Sequence, residues 1–512
     1  MESNGGSTSR RASAERIRKA IALVNSVADE AGDEEITPTE IAEAIRDCLE
    51  LSEVDLVPNV RRYLGEALDA VSDGMPADFV AMTLYAAQSM PPPHRVHRLT
   101  GGARMVIEPM PERHSASVVL MFAGGSRLED ERLAGVSHFI EHLYFKGTKR
   151  RPSSKEIADA IEGVGGFINA STDKELTAYW ARVPSEHMEL GLDVLFDIVA
   201  NSRLDPADVE RERMVILEEL RMYQDQPQDY VQNLFEELIW PDHPLRRDIA
   251  GTQESVSRLN REDILEYADA HYRLPNLVIG AAGSLDEGKT LVEVRRGLSL
   301  RPGLDGALSA PSPAPLTRPR VLVRRRETEQ AHICLGARAL SYLHPDRHAL
   351  DILNTVLGEG MSSRLFLNIR ERLGLAYDVH SFTQKHRDTG YIGVYIGVDP
   401  KKAVDAVNAV MGELRSLSES EVAPEELARA KEFTKGRLRL ELETTNGVAF
   451  WLTYQELLLG GIKTIEEELA LVDAVTSSDV KRVADDVLNA PLQMAVIGPF
   501  ARDSAFRLAI GA

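Results

Sequence analysis

Two histidines and a glutamate fall within the five residues His138-Phe139-Ile140-Glu141-His142, in the stretch VSHFIEHLYFKGT. On a helix advancing about 100° per residue, His138, Glu141 and His142 share one arc of roughly 100°. Phe139 and Ile140 point away from that arc, toward a core. Two imidazoles one turn apart can hold one zinc ion, and a carboxylate just before the second can reach a water at that ion. This is the inverse of the H-E-x-x-H order, and the same hydrolytic chemistry is open to it. The plain alternative is a buried helix with hydrogen-bonded histidines. Chance produces H-x-x-E-H on the order of 0.03 times in a chain of this length, which favours a site.

A catalytic zinc takes three protein ligands and leaves one position open. The stretch DPADVERERMVILEELRMYQDQP offers the third. Glu212 and Glu219 are seven apart and stack on one helical face, while Glu218 points about 100° away from Glu219. Helical geometry alone leaves the choice between Glu218 and Glu219 open, and acidic residues on a helix are often merely solvated.

These residues must be positioned by a large framework. The 512 residues exceed what one core supports, so two or three domains are expected. A net charge of −21 argues against nucleic acid as the partner. Two cysteines far apart in sequence, Cys48 and Cys334, argue against a disulfide framework and suggest a reducing, cytoplasmic compartment. The N-terminus does not read as a secretory signal, and no apolar run approaches a membrane span, so no membrane role is expected.

Along the chain, residues 1–94 read as a small all-helical module and a linker, closed by the Pro91–Pro93 break. Thr37, Pro38 and Glu40 form one helix-start signal in it, and Ser153 with Glu156 forms another further on. Residues 95–300 mix strands (GARMVIEP, SASVVLMF, FINASTDKELTAYWARV, NLVIGAAGSL) with helices. The Pro/Ala/Gly/Ser-rich residues 301–319 read as a linker. Residues 320–512 repeat the order: strands PRVLVRRRE and QAHICLGARAL, helices HPDRHALDILNTVLGEG and SSRLFLNIRERLG, then strand TGYIGVYIGVDP and helix PKKAVDAVNAVMGELRSL. The fold class is therefore α+β, with two homologous sandwich-like domains after the helical module. The Gly-rich GEGMSSR lacks the Lys and spacing of a phosphate-binding loop.

From about Arg95 onward the chain resembles the M16, or pitrilysin-type, metallopeptidases. Within them it is most similar to the small-subunit branch that includes the mitochondrial processing peptidase. GGSRLED, GVSHFIEHLYFKGTKRR, GGFINASTDKELTAYW, HPLRRDIAGTQESVSRL and GEGMSSRLFLNIRERLGLAYDVHSF carry the likeness. In that family the third ligand lies about 76 residues past the second histidine. Here 76 residues separate His142 from Glu219. The resemblance thus implies Zn2+ on His138, His142 and Glu219, Glu141 as general base, and Glu212 as a supporting outer glutamate. It also implies that Arg370 and Tyr377 hold a substrate carbonyl and the tetrahedral intermediate. Extended peptide would add to the strand Gly166, Phe167, Ile168, Asn169 and Ala170. Ser171 stands where an aromatic is frequent, and the first 94 residues have no counterpart in the common family pattern.

The implied activity is zinc-dependent endopeptidase action on peptides or unfolded segments in an enclosed chamber. A homodimer, or a heterodimer with an M16-like relative, is expected. The rival is a non-catalytic scaffold or partner subunit of a larger complex, the role of relatives that have lost zinc-motif residues.

Overall fold

The computed structural model describes residues 94–298, 300 and 312–512, together with Ala42, Ile45 and Leu68. The helical module expected at residues 12–90 lies outside the described residues, those three apart, as does 301–311 of the expected linker. Residues 312–319 carry no helix or strand. Val96–Ile462 and Leu471–Ala512 form one compact unit. Met1–Arg95 and Lys463–Ala470 form another, whose described part includes the start of one helix.

The first half carries strands β1 (Arg95–Arg98), β2 (Arg104–Pro109), β3 (Ser115–Phe122), β4 (Phe167–Thr172), β5 (Thr177–Pro184) and β6 (Leu277–Gly283). Its helices are α1 (Val136–Tyr144), α2 (Ser154–Glu162), α3 (Met188–Asn201), α4 (Pro206–Asp225), α5 (Pro227–Ile239), α6 (Gln253–Arg258), α7 (Arg261–His271) and α8 (Glu287–Gly297). The second half carries β7 (Arg320–Arg325), β8 (Ala331–Ala339), β9 (Ala376–Lys385), β10 (Gly390–Val398) and β11 (Gln493–Gly498). Its helices are α9 (Arg347–Gly358), α10 (Ala403–Glu419), α11 (Pro424–Glu441), α12 (Thr445–Tyr454), α13 (Ile465–Ala474), α14 (Ser477–Leu488) and α15 (Ser504–Ile510).

Strand order shows the duplication directly. The first sheet runs β1-β2-β6-β3-β5-β4 and the second β7-β11-β8-β10-β9. After β1 the two orders superpose strand for strand. The parallel pair also recurs in place, β2 with β6 and β7 with β11. In each half the last strand returns to the sheet interior, β6 beside β2 and β11 beside β7.

Strands buried on both faces read as continuous apolar runs rather than alternating ones. In β3, Val118, Leu120 and Phe122 face the helices of their own half. Val119 and Met121 face the other way, against Val448, Ala449 and Leu452 of α12. The second sheet reciprocates. Cys334, Tyr395 and Ile497 pack against Val231, Leu234 and Phe235 of α5. Each half therefore lends a helix to the outer face of the other's sheet.

Gly280 on β6 permits this close approach. A Cβ there would run into Thr453 Oγ1 and sit 2.7 Å from Ala449 O. Gly280→Ala is expected to destabilise the protein by about 1–3 kcal/mol, by overpacking. A urea midpoint unchanged from wild type would refute this account of the helix exchange.

Several local expectations need correction. The stretch FINASTDKELTAYWARV is a hairpin, β4 and β5 joined by a turn, not one strand. β9 pairs with β10 as a second hairpin, and β1 and β11 complete the sheets; the sequence reading named none of these three strands. Ser153 does cap α2, accepting from Glu156 N at 3.3 Å. The Glu156 carboxylate, however, accepts a hydrogen bond from the Ser153 hydroxyl rather than closing a box on its backbone. The helix expected over SSRLFLNIRERLG is π-wound from Phe366 to Arg372, and Gly374 at φ +56° ends it.

Candidate metal centre

α1 is short, and its start is unusual. The N-cap is Gly135 at φ 92°, and no side chain of the cap residue bonds the helix. A Cβ at Gly135 would lie 2.5 Å from Ala250 O, so glycine is required on both counts. Val136, Phe139, Ile140, Leu143 and Tyr144 are buried, which turns His138, Glu141 and His142 outward together, half-buried.

α4 packs beside α1 and brings the third group. Glu219 Oε2 lies 3.8 Å from His138 Nε2 and 3.6 Å from His142 Nε2. Among the described residues, this trio forms the one group whose donor atoms all lie within 4.8 Å of one another. The two separations are too long for hydrogen bonds, yet close to the roughly 3.3 Å between ligands of a tetrahedral zinc with bonds near 2.0–2.1 Å. Burial, then repulsion from His142, drives the His138 imidazole down to about 4, so it is neutral at physiological pH. Neutral imidazole is the form that binds metal. Two imidazoles and a carboxylate, half-buried and mutually unbonded, fit Zn2+.

Glu218 does not compete. Its side chain is 74% exposed and pairs with Arg221. Glu219→Gln is therefore expected to weaken zinc binding by more than the roughly 10–100-fold that loss of an outer partner costs. Glu218→Gln should bind as wild type. Chelator competition measures both, and equal affinities for the two variants would remove Glu219 from the ligand set.

The groups around the trio are ordered. Glu212 Oε2 lies 3.2 Å from His142 Nδ1, and Lys146 Nζ lies 2.8 Å from Glu212 Oε1. Burial pushes the Glu212 carboxyl up, but these two contacts outweigh it and hold it below the usual range. An ionised Glu212 fixes the His142 ring with Nε2 toward Glu219. Glu141 accepts a 2.6 Å hydrogen bond from Thr172 Oγ1 at the end of β4. Burial raises the Glu141 carboxyl above its ordinary value, against the pull of Thr172. Burial first, and then the nearby Glu219 carboxylate one turn back on α4, raise the Tyr223 phenol above its ordinary value.

Thr172, Lys146 and Tyr223 were not foreseen. Tyr223 follows Glu219 by four on α4, so helical spacing carried that signal, whereas Lys146 lies past the end of α1 and helical spacing did not point to it. Nothing in the sequence pointed to Thr172.

The expected peptide strand, Gly166 to Ala170, falls on β4 and the residue before it. β4 is the free edge of the first sheet, and Phe167 is 51% exposed. Arg370 and Tyr377 also meet. The Arg370 guanidinium lies over the Phe366 ring at 4.9 Å and the Tyr377 ring at 5.1 Å. Tyr377 is nevertheless 74% exposed, and among the described residues neither it nor Arg370 bonds to a group of the metal trio. The chain assembles the pair but does not bury it.

Doubled α+β halves with an inverted His-x-x-Glu-His site define a class of two-domain metallopeptidase-like proteins. The chain belongs to the M16 peptidase family. The family model described as insulinase (peptidase family M16) matches residues 104–253, and that described as peptidase M16 inactive domain matches 258–433. A Streptomyces coelicolor protein named an uncharacterized zinc protease is 38% identical over 420 residues, covering 80% of this chain and 90% of that protein. A Bacillus subtilis protein of the same description is 35% identical over 398 residues, covering 78% and 96%. The crystal structure of a protease from Helicobacter pylori shares the fold with a TM-score of 0.75, at 23% identity, over 80% of this chain and 100% of that one.

Proposed function

We propose that this protein is a zinc-dependent endopeptidase acting on peptides or unfolded segments held in an enclosed chamber. The observation that carries this is the trio His138, His142 and Glu219 beside the half-buried Glu141, which bonds Thr172 at the end of the edge strand β4. The names of the Streptomyces and Bacillus relatives support it.

Bound zinc supplies Lewis acidity, which brings a water's pKa toward neutrality and polarises a carbonyl. Glu141 accepts the proton of the attacking water and passes it to the leaving amine; its raised pKa suits both duties. Thr172 holds Glu141 Oε2, leaving the other carboxylate oxygen to do this. An extended substrate pairs with β4 through main-chain hydrogen bonds, which select for shape and flexibility over sequence. Arg370 and Tyr377 supply donors to the substrate carbonyl and its oxyanion. Because this pair stands exposed on its own chain, a second chain brings it to the metal site: a homodimer, or a heterodimer with an M16-like relative.

The cytoplasm suits the free, buried Cys334. Among the described residues no helix is long and apolar enough to cross a membrane. A purely scaffolding role fits less well, because His138, His142 and Glu219 are all retained and lie together.

The test is incubation of zinc-loaded protein with a peptide library, followed by mass spectrometry of the products. New internal termini support the proposal. An intact library at full zinc occupancy would favour the scaffold.

A further inference from the structure

α1 has no capping side chain of its own, yet its first amides are not orphaned. Glu129, 3% exposed, reaches them from the preceding segment. Glu129 Oε2 accepts from Gly135 N at 2.8 Å and Oε1 from Ser137 N at 2.9 Å. Ser137 Oγ in turn donates to Tyr267 OH at 3.0 Å. A carboxylate here also faces the positive end of the helix dipole.

The segment bearing Glu129 is fixed on several sides. Ser126 N and Arg127 N bond Asp173 O and Lys174 O, at 3.1 and 2.8 Å. Arg247 clasps the Glu129 and Ser126 carbonyls. The 5%-exposed Arg127 is held by Glu175 at 2.6 Å and by Asp388 of the second half at 2.7 Å. A rigid anchor thus ends in a carboxylate that grips the residue immediately before His138.

We infer that Glu129 is a positioning residue for the metal site, fixing the first turn of α1 and so the direction in which His138 and Glu141 leave it. The inference rests on the metal-site reading above. A nine-residue helix with no other cap has few internal bonds to hold its first turn. A displacement of about 1 Å at reacting groups can cost on the order of 10²-fold in rate.

The test compares Glu129→Gln with wild type and with Asp479→Asn. Asp479 likewise places a carboxylate on an amide at a helix start, closing the capping box of α14 by accepting from the N-cap Thr476 N at 3.0 Å, with no metal site attached. Glutamine keeps one acceptor but turns an N–H2 toward the second helix amide. The full-length proteins are loaded with Co2+ and their visible spectra recorded; kcat and KM are then measured on the zinc forms. The expected result for Glu129→Gln is an altered Co2+ spectrum and a kcat lower by about 10²-fold with little change in KM. Asp479→Asn should keep the wild-type spectrum. Glu129→Asp, which retains the carboxylate with one methylene less, should fall between the two and serves if the glutamine variant does not fold. A wild-type spectrum and kcat in whichever Glu129 variant folds would overturn the inference, as would an equal change in Asp479→Asn. Failure of the wild type to bind Co2+ would instead remove the metal-site reading itself, and the inference with it.

Discussion

Glu141→Gln protein is expected to carry as much zinc as wild type and to hydrolyse peptides about 10²–10⁴-fold more slowly, the usual worth of a positioned acid–base group. That loss corresponds to about 3–5 kcal/mol of transition-state stabilisation. The retention of zinc follows from the donor set, in which His138, His142 and Glu219 face one another and Glu141 takes no part. Glu141 instead bonds Thr172, which a glutamine can still do through its carbonyl oxygen. What glutamine cannot do is accept a proton. The prediction therefore divides two roles that sit one residue apart in the sequence. Metal analysis of the purified variant and a discontinuous peptide assay check it. Turnover within a few-fold of wild type would remove Glu141 as the base; loss of zinc would make it a ligand.

The grouping of the candidate site's residues was largely legible in the sequence because helical periodicity is a local rule. His138, Glu141 and His142 lie on one turn and a half of helix, and the apolar residues between them fix which way they face. The same rule set Glu219 apart from Glu218 but could not choose between them; the spacing known for the family did that, and the structure places the two differently. The exchange of α5 and α12 between the sheets left no such trace. Its cause is the burial of both faces of β3 and β8, and a continuous apolar run does not say which helix covers which face. Gly280 looks like any strand glycine until α12 is seen against it. Thr172 was likewise silent, since its partner is set by how the β4–β5 hairpin meets α1. The π-wound turn at Phe366–Arg372 escaped because its i→i+5 bonds, such as Leu373 N to Asn368 O at 2.9 Å, satisfy the same amides as an α-turn would.

That π turn and the strand after it bear on the largest remaining effect, the recovery of activity from two inactive chains. The Arg370 guanidinium on that turn lies over the Phe366 and Tyr377 rings, so the pair is preorganised by stacking rather than by burial. Tyr377 remains 74% exposed. A donor for an oxyanion is effective only where water is excluded, so a pair left this open awaits a covering surface. If a second copy provides it, Glu141→Gln and Tyr377→Phe chains, each inactive as a homodimer, complement each other when mixed. In a mixed dimer one site combines the wild-type Glu141 of one chain with the wild-type Tyr377 of the other; the second site holds both lesions. With free exchange at equal concentrations half the dimers are mixed, and activity should return to about a quarter of the wild-type level. Differently tagged chains, purified in tandem, isolate the mixed dimer, whose specific activity should then be about half that of wild type. Were the site formed within one chain, every site would keep one lesion. A tandem-purified mixed dimer as inactive as its parents would therefore exclude assembly of the site across two chains.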